Sequence, residues 1–131
     1  MNTEKMKING GIITDKLAET RAFYMDQLGF QVTFDSDWFC LLHCPGNPKS
    51  EVAFLTPHHP SQGELFQKPF KGDGVFFTIE VDNVDEVYAK IRAKGVNIAL
   101  DIRDEEWGDR HFAVTDPNGI GIDFVTHNPR S

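Results

Sequence analysis

The chain has 131 residues and a mass of 14.8 kDa, with 40% hydrophobic and 25% charged residues. That is one ordinary domain, able to bury roughly two-thirds of its unfolded surface without help from disulfides or metal, and the composition excludes a disordered chain. The formal charge of −7, from 13 Lys and Arg against 20 Asp and Glu, presents no basic stripe for nucleic acid. No run of ~18 apolar residues is present to cross a membrane.

The opening stretch MNTEKMKINGG lacks the apolar core of a signal peptide, so a cytoplasmic address is expected. Residues 6–14 read as a strand. Residues 17–28 carry Leu17, Ala18, Ala22, Phe23, Met25 and Leu28 on one helical stripe. Gly29 follows where a helix end favours a left-handed residue. Residues 30–35 alternate as a strand, and Asp35-Ser36-Asp37 is a turn. Residues 38–43 form the next strand, closed by residues 44–48, and residues 51–56 form a fourth. Cys40 and Cys44 lie in this region. Two thiols and His43 fall short of a structural zinc set, so they read as ordinary free cysteines.

Residues 57–74 contain three Pro and three Gly without periodicity and read as a long connector. The pattern then restarts. Residues 75–81 form a strand, Asp82-Asn83 caps a helix over residues 84–94, and Gly95 stops it. Residues 96–100 form a strand and residues 101–109 an acidic loop. Residues 110–115 and 120–126 are strands about the turn Asp116-Pro117-Asn118-Gly119. The order β-α-β-β-β therefore occurs twice, with the two stop glycines 66 residues apart, about half the chain. This is an internal repeat, with one module over about residues 6–57 and the other over about residues 74–127 of a single 1–131 domain.

Three stretches resemble the vicinal oxygen chelate superfamily, which includes glyoxalase I, bleomycin-resistance proteins and extradiol dioxygenases. They are Phe23-Tyr24 with Leu28-Gly29-Phe30, then residues 77–84, then Asp116-Pro117-Asn118-Gly119 with Ile122-Asp123. The resemblance implies an α+β fold in which paired βαβββ modules form a cupped, mixed sheet around a ligand cavity. It also implies a homodimer. Metal-dependent members carry His, Glu or Gln on several strands. The matching positions here are Asn9, Phe76, Asp123 and one near Phe54, with Glu51 as its neighbour in register. Asn is a poor ligand for a borderline ion and Phe is none. One carboxylate is short of the three ligands of a catalytic site, so neither metal nor other cofactor is expected. The five histidines read as surface or satisfied groups.

Aromatic residues stand where the ligands would be. Phe54 and Phe76 fall at or near ligand positions, and Trp38, Phe39 and Phe112 lie on strands that line the cup in the family. Aligning the last hairpin about its turn pairs Phe112 with Asp123 and Arg110 with Val125. The segment around Trp107, Gly108 and Arg110 resembles that of the metal-free, resistance-protein-like branch. The expected ligand contacts are thus Asn9, Trp38, Phe54, Phe76, Trp107, Arg110, Phe112 and Asp123. Acidic charge and aromatic faces suit a planar or cationic small molecule. Binding and sequestration is therefore the first expectation. Two others remain: a metal-dependent lyase or dioxygenase using Asp123 with Glu51 or a histidine, and a metal-free enzyme with Asp123 or Glu80 as base.

Overall fold

A computed structural model describes residues 5–127. Strands β1 (Gly10–Ile13), β2 (Gln31–Asp35), β3 (Phe39–Cys44) and β4 (Asn47–Leu55) form one sheet in the order β1-β4-β3-β2. Strands β5 (Phe76–Glu80), β6 (Ile98–Asp104), β7 (Asp109–Thr115) and β8 (Gly121–His127) form a second in the order β5-β8-β7-β6. In each, the first strand lies at an edge, parallel to the last strand of its own unit. Helix α1 (Leu17–Ala22) follows β1 and helix α2 (Val84–Ala93) follows β5. The fold is α+β, in two four-stranded mixed sheets.

Local chemistry explains most boundaries. Asn83 caps α2 by accepting a hydrogen bond from the Glu86 N–H at 3.2 Å. Gly29 and Gly95 both adopt positive φ, +78° and +79°, the left-handed geometry expected of helix stops. The first helix is shorter than its stripe. It widens at Ala22 into a π turn over Phe23–Gln27, where the Leu28 N–H reaches the Phe23 carbonyl at 3.2 Å. The paired part of β1 is also shorter than the expected residues 6–14. Two strands are longer than expected. β4 begins at Asn47, immediately after a tight turn at Pro45-Gly46, and β6 consumes half of the acidic stretch, leaving residues 105–108 as its turn.

Alternation along each strand sends one set of side chains toward the helices. Cys40, Leu42, Val52 and Phe54 from the first sheet meet Phe112, Val114, Ile122 and Phe124 from the second. With Leu17, Tyr24, Val84 and Ile91 from the helical segments, they make one continuous core spanning both modules. Cys40 is buried in it and Cys44 half-buried, both as free thiols.

A buried polar junction crosses this core. The Tyr24 hydroxyl donates to Asp116 Oδ2 at 2.9 Å, and the other Asp116 oxygen accepts the Asn118 and Ile120 N–H groups at 2.8 and 2.9 Å. Asn118 Nδ2 donates to Thr20 at 3.1 Å, and Thr14 donates to Asn118 Oδ1 at 2.6 Å. The second module's Asp-Pro-Asn-Gly turn is therefore plugged into the helical side of the first. Burial pushes the Tyr24 hydroxyl pKa well above its ordinary value, and the Asp116 charge adds to it. Replacing Tyr24 with Phe should destabilise the fold by about 1–3 kcal/mol, because a buried charged acceptor loses its donor. Urea unfolding measures this, and an Asp116→Ala change should cost more than Tyr24→Phe.

Candidate functional site

Each sheet has a second face with no helix on it. On the second sheet, alternation places Phe76, Thr78 and Glu80 of β5 there, with Asp123 and His127 of β8 and Asp109 and His111 of β7. The hairpin register decides which groups meet. β7 and β8 pair Phe112 with Phe124, Ala113 with Asp123, His111 with Val125 and Arg110 with Thr126. This corrects the expected pairing of Phe112 with Asp123 and of Arg110 with Val125 by one residue. The physical reason is the turn. The Asp116 N–H bonds the Ile120 carbonyl at 2.9 Å, so Ile120 belongs to the loop and pairing resumes at Gly121. A one-residue slip exchanges the faces.

Of the expected contacts, Phe112 consequently lies on the core side, and Phe54 of the first sheet lies on the core side of its own sheet. Phe112 is fully buried against Phe124, stacked at 5.0 Å, and Phe54 is fully buried 4.7 Å from Tyr24. Both are core residues. Arg110 also turns toward the helix, where Asp85 holds it through its Nε and NH2 groups at 2.9–3.3 Å and Asp104 lies at 3.3 Å. Those carboxylates hold its guanidinium charged, and Arg110 in turn holds Asp85 below the usual carboxylate range.

The register brings His111 into the site instead. Its Nδ1 lies 2.7 Å from Asp123 and its Nε2 2.7 Å from Glu105. Beside it, His127 Nδ1 lies 2.7 Å from Asp109 and Nε2 2.8 Å from Glu80. Burial acts to lower the His111 pKa, but the Glu105 and Asp123 carboxylates outweigh it and the net direction is upward. Asp109 and then Glu80 raise that of His127. Glu105 is held low by His111 and Arg103. Trp107 sits in the turn after β6, donates its indole N–H to Asp109 at 3.0 Å, and is 54% exposed. Phe76, at the opposite edge, is 68% exposed and stands across from Gly121.

The open face of the first sheet carries Phe34 and Phe39, 6.0 Å apart, His43 and Glu51. Lys7 contacts Glu51 and holds its carboxyl below the usual range. His43 Nδ1 lies 2.8 Å from the Thr33 hydroxyl. Asn9 is exposed just before β1. Trp38 is half-buried under His59 of the connector, stacked at 3.8 Å.

These donors do not fit a catalytic ion. Of the family's ligand positions, Asn9 and Phe76 offer no strong ligand, Phe54 is buried, and Glu51 is engaged by Lys7. Asp123 is engaged by His111, both of whose nitrogens face carboxylates. Among the described residues no group of three His, Cys, Asp or Glu is arranged around a common point to hold an ion.

A cavity lies elsewhere. A cleft of about 880 Å³ separates the two modules on their helical side, lined by Leu28, Phe30, Ile79, Val87, Ile91 and Lys94 among others. A smaller recess of about 140 Å³ adjoins it at Gly10, Tyr24, Glu51 and Phe77. None of the residues expected to contact ligand lines either space. No local pattern reveals such a cleft, since it depends on how the two sheets are spaced.

Residues 8–124 match the model of the Glyoxalase/Bleomycin resistance protein/Dioxygenase superfamily. The chain belongs to that superfamily. A bleomycin resistance protein of Geobacillus stearothermophilus is 29% identical over 108 residues, covering 78% of this chain and 82% of the relative. A superfamily member from Sphaerobacter thermophilus superposes with a TM-score of 0.71 at 26% identity, over 94% of this chain and 98% of that one. An antibiotic binding protein from a Streptomyces species shares the fold with a TM-score of 0.72 at 16% identity, over 98% of this chain and 100% of that one. The superfamily's helix–strand motif contributes Tyr24 and Phe30 to the core, and its Asp-Pro-Asn-Gly turn contributes the polar junction.

The two histidines predict a pH dependence of stability. Their native pKa values are raised above the unfolded value of ~6.5, so the stabilisation is complete below that pH and is lost as pH rises through the native values. In thermal melts between pH 6 and pH 8.5, His111→Gln should lose less stability with rising pH than the parent chain.

Proposed function

We propose that this superfamily member binds and sequesters a small planar cation, without a metal, on the open face of its second sheet. The observation that carries this reading is the company kept by Phe76 and Trp107. Two large aromatic side chains, 68% and 54% exposed, flank the carboxylates of Glu80, Glu105, Asp109 and Asp123. Aromatic faces attract cations and stack on planar groups, each contact contributing roughly 0.5–2 kcal/mol. The carboxylates add long-range attraction and direction. Gly121, across from Phe76, places no side chain beside it. The bleomycin resistance proteins among the relatives support a resistance-like role. A second copy of the chain would enclose the guest further, using the exposed Phe34, Leu65 and Phe66 as apolar contact surface.

Calorimetric titration of EDTA-treated protein with bleomycin, with ethidium as a simple planar cation, tests the reading. Saturable binding of at least one of them is expected. Phe76→Ala and Asp123→Asn should each weaken it about tenfold, corresponding to ~1.4 kcal/mol. Fluorescein, a planar anion, should not bind. Binding that appears only after a divalent ion is restored, or equal affinity for fluorescein, would overturn it. Addition of zinc or nickel at millimolar concentration should move the melting temperature by less than about 1 °C, since no site of useful affinity is offered.

A second reading is favoured by one contact. His111, 2.7 Å from both Asp123 and Glu105, is built to hold and pass a proton, as a metal-free enzyme of this superfamily would require. Asp123→Asn would then abolish turnover and retain binding.

A further inference from the structure

We propose that residues 5–9 are a strap that docks along the free edge of β4 as a continuation of β1, seating Ile8 and Met6 in the cleft between the two sheets. The starting observation is a mismatch in strand length. β4 runs from Asn47 to Leu55, but β1 pairs only with its residues 52–55. Residues 47–51 continue past the end of β1, and among the described residues no strand lies beside them on that side. The cleft begins there, with Asn47 and Ser50 in its wall.

The register of β1 specifies what a continuation would do. Gly10 pairs with Val52 in parallel, so one more step back sets Asn9 beside Glu51 and the next sets Ile8 beside Ser50. Side chains alternate along a strand. Ile12 is buried on the helical side, and Gly10 approaches the Phe77 ring on that same side. Ile8 and Met6 share their parity, so they would point into the cleft toward Phe30, Ile79 and Ile91. Lys7 has the opposite parity and would fall beside Lys49 on the open side, one diagonal step from Glu51. Lys7 contacts Glu51, a reach that this diagonal allows.

The sequence of the strap fits such a strand. Lys5-Met6-Lys7-Ile8-Asn9 alternates polar and apolar residues, as a strand covered on one face does. In the structure Met6 and Ile8 are 87% and 94% exposed, while the apolar cleft beside them has a volume of about 880 Å³. The occupant is the chain's own segment because it is covalently joined to β1 one residue away. That linkage gives it a very high effective concentration over the same segment of another molecule. The strap closes the seam between the modules, whose wall shares Glu80 with the proposed ligand face. Disulfide trapping and hydrogen exchange read the strap with no guest present, so they stand apart from the proposed function.

Disulfide trapping tests the docked register. Ile8→Cys with Ser50→Cys, in a Cys44→Ser background that removes the half-buried native thiol lining the cleft, puts two thiols on neighbouring strands. Neighbouring strands lie ~4.8 Å apart, within reach of a disulfide. Mild oxidation at micromolar protein should give mainly an intramolecular 8–50 bond, identified by peptide mapping. Absence of that bond, or covalent dimers alone, would overturn the proposal. Amide hydrogen exchange on the chain with its native cysteines provides a second readout that needs no engineered thiols. Met6→Lys with Ile8→Lys should speed exchange at the Glu51 N–H at least tenfold, with the protected rate of the parent independent of protein concentration. Equal rates in parent and variant, or protection lost on dilution, would contradict docking within one chain.

Discussion

The hydrogen bond from Tyr24 to Asp116 is the constraint on which the rest of the architecture depends. Tyr24 lies in the π turn of the first module and Asp116 in the last hairpin turn of the second. Both are buried, so neither can exchange its partner for water. Asp116 also terminates the Asn118 and Ile120 N–H groups. One carboxylate thus shapes the turn that sets the β7–β8 register and, at the same time, binds the module that precedes it. Thr14, Thr20 and Asn118 complete the polar plug. Because the junction lies on the helical side of both sheets, the core is shared on that side and the opposite faces are left free of helices.

That division sorts the chemistry of the second sheet. The helical side receives Phe112, Phe124, Ile122 and the ion pair of Arg110 with Asp85. The open side receives the two carboxylate–imidazole–carboxylate rows and the exposed Phe76 and Trp107. A single face therefore combines apolar stacking surface with negative charge that histidine protonation moderates. The positions that the family resemblance matches to metal ligands hold Asn9, Phe76 and Asp123 in this chain. A binding role needs only this surface, whereas metal catalysis needs a converging set of donors.

The modular repeat, the two glycine helix stops and the strand order were legible in the sequence because each has a local physical signature: apolar period, positive φ, turn chemistry. The sequence also pointed to Asp123 and Phe76 by position in the family pattern and to Trp107 as a large aromatic in an acidic stretch, and these three lie on or beside the open face of the second sheet. Phe112 and Arg110 were misplaced because face assignment depends on register, and the β7–β8 register depends on whether Ile120 belongs to the turn; Phe54, on β4 of the first sheet, alternates with Val52 onto the core side. The signal was available in the alternation itself. Phe112 and Val114 match Ile122 and Phe124 as apolar partners, which leaves His111 and Asp123 together on the other face. The inter-module cleft and the Tyr24–Asp116 contact were not legible, since the contact joins residues 92 apart in the chain and the cleft depends on how the two modules are spaced.

On the proposed function, a guest sits on the open face of the second sheet and not in the cleft behind it. Residue-resolved NMR during titration of the metal-free protein with bleomycin locates the guest directly. Shifts concentrated at the Trp107 indole, Phe76, His111 and Asp123 are expected. Shifts confined to Leu28, Val87 and Ile91 around the cleft, or shifts that appear only after a divalent ion is added, would contradict it.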